Sequence, residues 1–589
     1  MNKYDGLLVQ IRTSYIHIDI RGTEPQLGQY YIAEFAKKFG FVVKVKSYSS
    51  NDPIIESLRE ILSEHHCKVI GFYVDSENIW TIARTTMILH DIFPDLHIII
   101  GGPQVTGDPF LAMKRIPFAH CAIIGEGERP FSELVKAIYS GVKDLMYIDG
   151  LLFRNQQGKL CQTKAQENIS DLDFYPFPRR YEHTLDEDIV FDQISTGRGC
   201  IGKCAFCFEG NKTSNQLRLR SIENVIEEID YVISSLKNKK YISFLDDTFI
   251  LNSNRAVAIC NHLISKYHGM IGWFCEGRVD ILYKHLDLLP LIKKAGNIRI
   301  QLGGESGNQK ILNIYNKRMK LHELETVVRA IYKSGIPSTY INFIIGGAFE
   351  SIDTFRDTLD FAKKLLNIAP GCAEVGCSLL TPYVGTPIRN FPEQYGIKIN
   401  DADIITGPDG FIPTINTHTL SAKKISQLKS IFDSEIKTEY KRILLTLPND
   451  RILHIYRLNE QYNMATDWYM NANEYETFKN YFEPQIKYNF TSYSQLLESN
   501  SIQLAVPYRT IQPISDGFKY FALYNGLEKL ELDGMTEDVF MLCSGKLSYF
   551  EIVSIIMKKY GESESVEFEI DKIFRLFDIN KLVIWKWLF

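Results

Sequence analysis

Short apolar runs alternate with helical patterns over the first 140 residues. Leu7–Ile11, Val42–Tyr48, Lys68–Val74, His97–Gly102 and His120–Gly125 have the length and near-continuous apolarity of buried strands. Segments between them, such as Leu27 to Phe39, repeat at helical spacing. Strands alternating with helices predict a parallel sheet with helices on its faces. In open sheets of that kind, ligands bind at the carboxyl ends of the strands. Gly101-Gly102-Pro103 and Gly125-Glu126-Gly127-Glu128 fall at such ends. Glycines there either let a ligand approach the backbone or make tight turns.

From Asp144 to Glu187 the alternation lapses. Asn155-Gln156-Gln157-Gly158 has the composition of a hairpin turn, and Tyr175-Pro176-Phe177-Pro178 is proline-rich, so this stretch reads as a linker. A second alternating block follows, with strands expected at Gln193–Thr196, Tyr241–Asp246, Gly272–Glu276, Asn297–Gly303, Thr339–Gly346 and Glu374–Thr381. Ile222, Val225, Ile226, Ile229, Val232, Ile233 and Leu236 mark one helix between them. Six strand–helix units in about 200 residues predict an incomplete (β/α) barrel, with chemistry at the carboxyl-terminal rim of its strands. Beyond Pro387 residues 420–485 look mainly helical. The last 75 or so start strand-like at Phe518–Leu532, continue as helices at Glu537–Cys543, Tyr549–Lys559 and Glu567–Phe577, and end on a strand at Lys581–Trp587. That order suggests a small winged-helix-like domain. The expected α/β organisation is therefore a Rossmann-like domain at 1–143, a linker at 144–187, a partial (β/α)6 barrel at 188–388, a helical substrate-access region at 389–512 and a terminal domain at 513–589.

Length and composition agree with this division. At roughly 150 residues per domain, 589 residues make about four. An apolar fraction of 45% against 23% charged excludes a mostly disordered chain. A net charge of −5 disfavours a generally basic nucleic-acid binder. No apolar run approaches the length of a membrane span, and the amino terminus lacks the core of a signal peptide, so a cytoplasmic protein with no membrane partner is expected. Eleven cysteines are too few for a disulfide scaffold, and a cytosolic chain keeps them reduced.

Three of those cysteines are packed into eight residues. Cys200, Cys204 and Cys207 lie in Thr196-Gly197-Arg198-Gly199-Cys200-Ile201-Gly202-Lys203-Cys204-Ala205-Phe206-Cys207-Phe208, directly after the first strand of the barrel block. Thiolates so spaced can share one metal centre. A structural zinc site normally takes four protein ligands, whereas a [4Fe–4S] cluster held by three leaves one iron open to a small ligand. Three neutral cysteines are the remaining alternative.

The Cys-x3-Cys-x2-Cys loop, with Phe206 before its third cysteine, resembles that of the radical S-adenosylmethionine (SAM) enzymes, and the likeness extends over residues 190–388. The resemblance implies that the open iron chelates the amino and carboxylate groups of SAM, and that reduction by an external donor of flavodoxin or ferredoxin type cleaves SAM to methionine and a 5′-deoxyadenosyl radical. It also implies SAM-binding positions at the strand ends. These are Asp247 after the second strand, Arg278 after the third for the SAM carboxylate, Glu305 after the fourth for its amino group, Ser306 for a ribose hydroxyl, and Gly346 after the fifth. Each carboxylate has the alternative of a rim ion pair or a helix cap.

The first domain resembles the cobalamin-binding domain that precedes the radical domain in one large subgroup of these enzymes. The likeness rests on Gly22-Thr23-Glu24-Pro25-Gln26-Leu27-Gly28, the helix to Gly40, Ile98–Pro103 and Ile123-Ile124-Gly125-Glu126-Gly127-Glu128. It implies cobalamin near Gly22, Thr23, Leu27, Asp75, Asn78, Gly101, Gly102, Pro103, Gly125, Glu126 and Gly127. The Asp-x-His-x-x-Gly loop of other cobalamin proteins is absent. His17-Ile18-Asp19-Ile20-Arg21-Gly22 has the wrong order, so no protein histidine on cobalt is expected. Trp80 either faces the corrin or packs at a helix start. The alternative for the whole domain is a retained fold without the cofactor.

Two such cofactors imply methylation of an unactivated carbon. The radical removes hydrogen, methylcobalamin supplies the methyl group, and the protein orients both. Oxidation, rearrangement or cyclisation without methylation is the second reading, and a non-enzymatic iron–sulfur sensor or binding module the third. Val539–Val553 resembles the small peptide-chaperone domains related to the pyrroloquinoline quinone pathway, in which a leader peptide adds a strand to a sheet edge. That likeness implies a ribosomal precursor peptide as substrate. A generic winged domain and a small-molecule substrate are the alternatives. Glu551, Glu562, Glu564, Glu567, Glu569 and Asp571 oppose DNA binding there. Cys372 and Cys377, near the sixth strand, are either hydrogen donors, a second site or core packing.

Overall fold

The computed structural model describes residues 4–12, 26–65, 67–186, 192–211, 217–236, 241–400, 413–488, 490–499, 502–515, 519–524 and 528–586. Two compact units emerge. One comprises 1–369 with 375–436, the other 370–374 with 437–589.

In the first unit, β1 (Gly6–Arg12), β2 (Val43–Ser49), β3 (Val69–Tyr73), β4 (His97–Gly101) and β5 (Cys121–Ile123) form the expected parallel sheet. It is extended by β6 (Leu151–Arg154) and β7 (Leu160–Gln162), giving the order β2-β1-β3-β4-β5-β6-β7. The last two strands correct the linker expectation. Residues 151–162 are an antiparallel hairpin turning at Asn155–Gly158, and it closes the open side of β5. Each of these strands is short, so its pattern does not stand out from a connection.

Alternation along the strands sends side chains to two cores. From β1, Leu7, Val9 and Ile11 join the helices Ile54–His65, Ile79–Ile92 and Pro109–Arg115, while Leu8 joins Leu27–Lys37 and Glu128–Tyr139 on the other face. Both faces are covered, as parallel sheets require.

The second sheet of this unit contains β8 (Gln193–Ile194), β11 (Tyr241–Phe244), β12 (Gly272–Gly277), β13 (Asn297–Glu305), β14 (Ser338–Ile345) and β15 (Ala373–Leu379), in the order β15-β14-β13-β12-β11-β8. Strands β8, β11, β12, β13 and β14 pair in parallel, and the sheet stays open rather than closing into a complete barrel. Between β8 and β11, the short β9 (Gly197–Arg198) and β10 (Arg218–Leu219) pair antiparallel on either side of the cysteine loop. Leu27, Tyr31 and Phe35, on the first helix, pack with Leu172, Tyr175 and the partly buried Leu245. The two sheets of this unit are thus tied by a common apolar cluster.

In the second unit the meander Ile514–Ser515, Tyr520–Tyr524, Glu528–Leu532 precedes the helices Gly534–Leu542, Tyr549–Tyr560 and Glu564–Ile579. The final strand, Val583–Lys586, pairs antiparallel with Phe490–Thr491 and Val506–Arg509. The boundary expected at 512/513 is therefore not a structural break, because the core of this unit includes Tyr493, Leu496 and Ala505 with Phe574 and Trp585. Among the described residues no helix is long and apolar enough to cross a membrane.

Candidate active site

The cysteine loop is clamped at both ends. Asp246, just after β11, is buried and accepts the backbone N–H groups of Thr196 and Gly197 at 2.8 Å each on its Oδ1. Burial pushes its carboxyl up to about 6 against the pull of those hydrogen bonds. Downstream, Ala205 N–H donates to the carbonyl of Tyr315 (2.9 Å), and Asn211 Nδ2 donates to the carbonyls of Cys204 (2.8 Å) and Cys207 (2.7 Å). Gly210 rests on the carbonyl of Gly202, and Gly202 on Arg278 Nη1, at approaches that leave no room for a Cβ.

Among the described residues no three His, Cys, Asp or Glu side chains converge as ligands of a single ion. A four-iron cluster takes each thiolate on a different iron, so three thiols on one tightly folded loop suit it better than they suit zinc. Burial raises the thiols of Cys204 and Cys207, the latter to about 11, and the charges of Lys317 and Arg278 draw Cys204 back down. Arg278 acts on Cys200 and Cys204, and Lys317 on Cys204, and cations beside thiols favour the thiolate that binds metal.

Glu305 ends β13 at a register shift and has a positive φ of 58°. Its carboxylate is 2.6 Å from Lys317 Nζ, and both side chains are about nine-tenths buried. Burial opposes the charge on Lys317, but Glu305 and Cys204 outweigh it and raise its pKa. Arg278 gives Nε and Nη2 to Asp280 at 3.0 and 2.9 Å and turns Nη1 toward Gly202. Gly346 has φ +79° and donates its N–H to the buried carboxylate of Glu350, which burial pushes up to about 7. Phe206 stands edge-on to Tyr315 at 5.0 Å. Asp247 is exposed at the rim.

Ser306, expected at a ribose hydroxyl, has its Oγ engaged within the protein. It is buried against Thr358 Oγ1 (3.2 Å) and accepts the N–H of Asn308, because the turn into the following helix needs that acceptor. Cys377 turns its thiol toward Asp433 at 3.6 Å, whereas the next residue, Ser378, bonds Asn342. Neighbouring residues of a strand face opposite sides, so the Cys377 thiol is on the face away from the Asn342 side chain. Cys372 is buried.

The expected corrin positions divide in the same way. Gly22 and Thr23 lie outside the described residues. Asp75 and Asn78 build their own turn. Asp75 Oδ1 accepts from the N–H groups of Glu77 and Asn78, and Asn78 donates to the carbonyls of Ile11 and Tyr73. Leu27 belongs to the apolar cluster that joins the sheets. Gly101, Gly102 and Pro103 turn the chain from β4 into a helix, and Gly102 (φ +114°) sits where a Cβ would fall 2.6 Å from the carbonyl of Val74. Gly125 (φ +93°) donates to Thr106, and Gly127 caps the helix Glu128–Tyr139 against Ile32. The carboxylate of Glu126 is engaged by Arg198 and Arg218, which flank the cysteine loop. Trp80 is 55% exposed beneath the guanidinium of Arg115.

The two candidate cofactor sites adjoin. Gly385, in the turn after β15, packs between Phe208 of the cysteine loop and Gly107, the last residue of the short helix Pro103–Gly107 that follows β4, and Gly107 lies on Val384. Tyr383 in the same turn feels the charges of Glu77 and Asp75. Strand-end turns of the first sheet and the cysteine loop thus meet at one short segment.

Sequence profiles agree with this geometry. That of the Radical SAM superfamily matches residues 194–362, and that of the B12 binding domain matches 14–135. The chain carries a radical SAM domain and a B12-binding domain. Over 375 residues it is 28% identical to an uncharacterized methyltransferase, PH0819, of Pyrococcus horikoshii, covering 63% of this chain and 78% of that protein. It is 24% identical over 355 residues to the anaerobic magnesium-protoporphyrin IX monomethyl ester cyclase of Rubrivivax gelatinosus, covering 59% and 63%. The chain therefore spans just under two thirds of that cyclase. Similar solved folds include the radical SAM methyltransferase TsrM of Kitasatospora setae with cobalamin and a [4Fe–4S] cluster bound (TM-score 0.57, 16% identity, 74% and 89% coverage). OxsB with aqua-cobalamin and SAM bound has TM-score 0.59 at 17% identity, with 98% and 84% coverage. The radical SAM and B12-binding domains call for a [4Fe–4S] cluster, SAM and cobalamin, and the chain is an enzyme.

Sequence reasoning missed Lys317, Glu350 and the two arginines. Lys317 follows a short helix in Asn316-Lys317-Arg318, where a lysine reads as a solvated charge. The signal that finds it is its packing against Glu305, twelve residues away.

Proposed function

We propose that this chain is a cobalamin-dependent radical SAM C-methyltransferase. The observation that carries the reading is the meeting of Gly385, Phe208 and Gly107, which sets the turns of the B12-binding domain against the cysteine loop. When bound, the cluster with SAM supplies hydrogen abstraction and the cobalamin supplies the methyl group. The chain's own residues hold and insulate these groups. Cys200, Cys204 and Cys207 bind the cluster, Glu305 and the remaining Nη1 of Arg278 receive SAM, and the Phe206–Tyr315 pair shields the loop from water. An exchangeable electron carrier of flavodoxin or ferredoxin type serves as reductant.

The substrate we assign is a ribosomally made precursor peptide. In support, the second unit has a three-stranded meander followed by three helices, and its strand Glu528–Leu532 forms one edge of that sheet. An extended peptide can add to such an edge, with main-chain hydrogen bonds giving affinity. The similarity to a cyclase keeps a second reading open, namely radical ring closure without methylation.

The deciding experiment is the corrinoid content of full-length protein purified anaerobically from cells supplied with cobalamin, followed by product analysis with methyl-labelled SAM. One cobalamin per chain, with S-adenosylhomocysteine formed alongside 5′-deoxyadenosine, is the expected result. An intact cluster without corrinoid, or 5′-deoxyadenosine as the sole SAM product, overturns the methyltransferase reading.

A further inference from the structure

Glu126 and Glu128 follow β5 in the B12-binding domain, at the strand end where a corrin contact is expected. Their carboxylates point elsewhere. Glu126 receives both terminal nitrogens of Arg218, at 2.5 and 3.2 Å, and Arg198 Nη1 at 3.1 Å. Glu128 receives Arg198 Nη2 at 2.5 Å. The four side chains are enclosed, with exposures of 17% for Glu126, 4% for Glu128, 24% for Arg198 and 8% for Arg218. The hydrogen bond from Arg218 and the charges of Arg198 and Arg218 overcome the effect of burial and hold the Glu126 carboxyl below its ordinary range.

The arginines stand on the two strands that flank the cysteine loop, and Arg198 is directly opposite Arg218 in the β9–β10 pairing. Like charges facing each other across a ladder repel, so this hairpin needs anions between them. The B12-binding domain supplies those anions from a separate sheet. Tyr31 on its first helix and Tyr175 from the connection lie under Arg198, at 5.3 and 5.1 Å from the guanidinium to the ring centres. Arg218 also bonds the carbonyl of Ile169 at 2.7 Å. Arg198 is two residues before Cys200. Displacing it displaces the first thiol.

We propose that Glu126, with Glu128, is the strut by which the B12-binding domain fixes the cysteine loop, a positioning role for the radical centre rather than a contact with the corrin. The inference rests on the cofactor assignment above. It predicts that the glutamate and the arginines act as a unit. Residues in one ion-pair network give strongly non-additive effects. A bidentate arginine–carboxylate pair also fixes geometry as well as charge.

The test uses full-length Glu126→Gln, Arg218→Gln, the double variant and Glu126→Asp, each reconstituted anaerobically with iron, sulfide and hydroxocobalamin. Three quantities are read: hydroxocobalamin affinity by absorbance titration, the electron paramagnetic resonance spectrum of the reduced cluster with SAM, and the rate of 5′-deoxyadenosine release. Hydroxocobalamin affinity is expected to stay within about twofold of the parent throughout. The two Gln variants should share one altered cluster spectrum and a loss of about tenfold in SAM cleavage, the double variant losing no more than either alone. Glu126→Asp keeps the charge and shortens the reach, so a smaller loss is expected, and this variant carries the test if the others fold poorly. A cobalamin affinity weakened about tenfold or more by Glu126→Gln but not by Arg218→Gln overturns the proposal, as does a double variant whose loss is the product of the two. If the parent itself binds no cobalamin, the methyltransferase reading fails, while the cluster spectra still decide the strut.

Discussion

Lys317 Nζ lies 2.6 Å from the carboxylate of Glu305, so that a buried cation meets the end of β13 beside the cysteine loop. A buried pair costs desolvation of both ions, and removing one partner leaves the other uncompensated, an effect of roughly 3–5 kcal/mol. Lys317→Met therefore removes the cation that holds the Glu305 carboxylate in place at the end of β13. SAM affinity, followed by the change it causes in the cluster spectrum, should fall by about tenfold or more, with iron and sulfide retained. Glu305→Gln should do the same, and Lys317→Arg should do less harm. Unchanged SAM affinity in Lys317→Met and Glu305→Gln would remove both residues from the site.

Cys204 is buried and sits between the other two thiols in sequence, with its carbonyl tied by Asn211. Cys204→Ala leaves that hydrogen bond in place and deletes only the sulfur. Iron and sulfide should drop to background, with the charge-transfer absorbance and SAM cleavage lost together. Retention of the parent's iron and sulfide would sink the cluster assignment.

Asp246 carries a pH signature. Its folded carboxyl is raised to about 6 from an ordinary 3.8. Between those values the folded state binds more protons than the unfolded, so the carboxyl's contribution to stability is full below 3.8 and falls as pH rises through 6. Both amide hydrogens from Thr196 and Gly197 end on the same oxygen, so Asp246→Asn keeps them while removing the ionisation. The Asn variant should gain on the parent by about 3 kcal/mol between about pH 4 and pH 6, at roughly 1.36 kcal/mol for each pH unit separating the folded and unfolded values, and stay level above that. Calorimetry of the full chain at those pH values reads the difference. A parallel pair of curves would show that the carboxyl is ordinary.

Much of this architecture was legible because period and motif carry it. The five parallel strands of the first sheet announce themselves as apolar runs, and Cys200, Cys204 and Cys207 stand out by their spacing. The turn of the β6–β7 hairpin is legible at Asn155–Gly158, but its strands are not, because four- and three-residue strands around a polar turn look like a connection. Ser306, Asn78 and Leu27 stand at strand ends or helix starts, where a residue can face a ligand or hold its own turn, and spacing does not tell these apart. Lys317, Arg198 and Arg218 acquire their roles only through residues brought near by folding. Glu126 meets Arg218 across 92 residues and two sheets.

Gly385 is the point at which the two domains can be perturbed without touching a ligand. Its φ of +79° is strained for any residue with a Cβ, and an added Cβ would lie 3.0 Å from the Phe208 ring and 3.4 Å from Gly107 Cα. Gly385→Ala should lower stability by about 1–2 kcal/mol, the cost of a left-handed alanine. The larger consequence is geometric. The ring and Gly107 must part by a few tenths of an ångström, separating the corrin side from the cluster side. Methyl transfer needs both sides in register, whereas SAM cleavage needs only the cluster side. The ratio of S-adenosylhomocysteine to 5′-deoxyadenosine should therefore fall several-fold, with cobalamin and iron contents unchanged. A ratio equal to the parent's, in a variant whose stability has dropped as expected, would mean that this contact does not set the distance between the two cofactors.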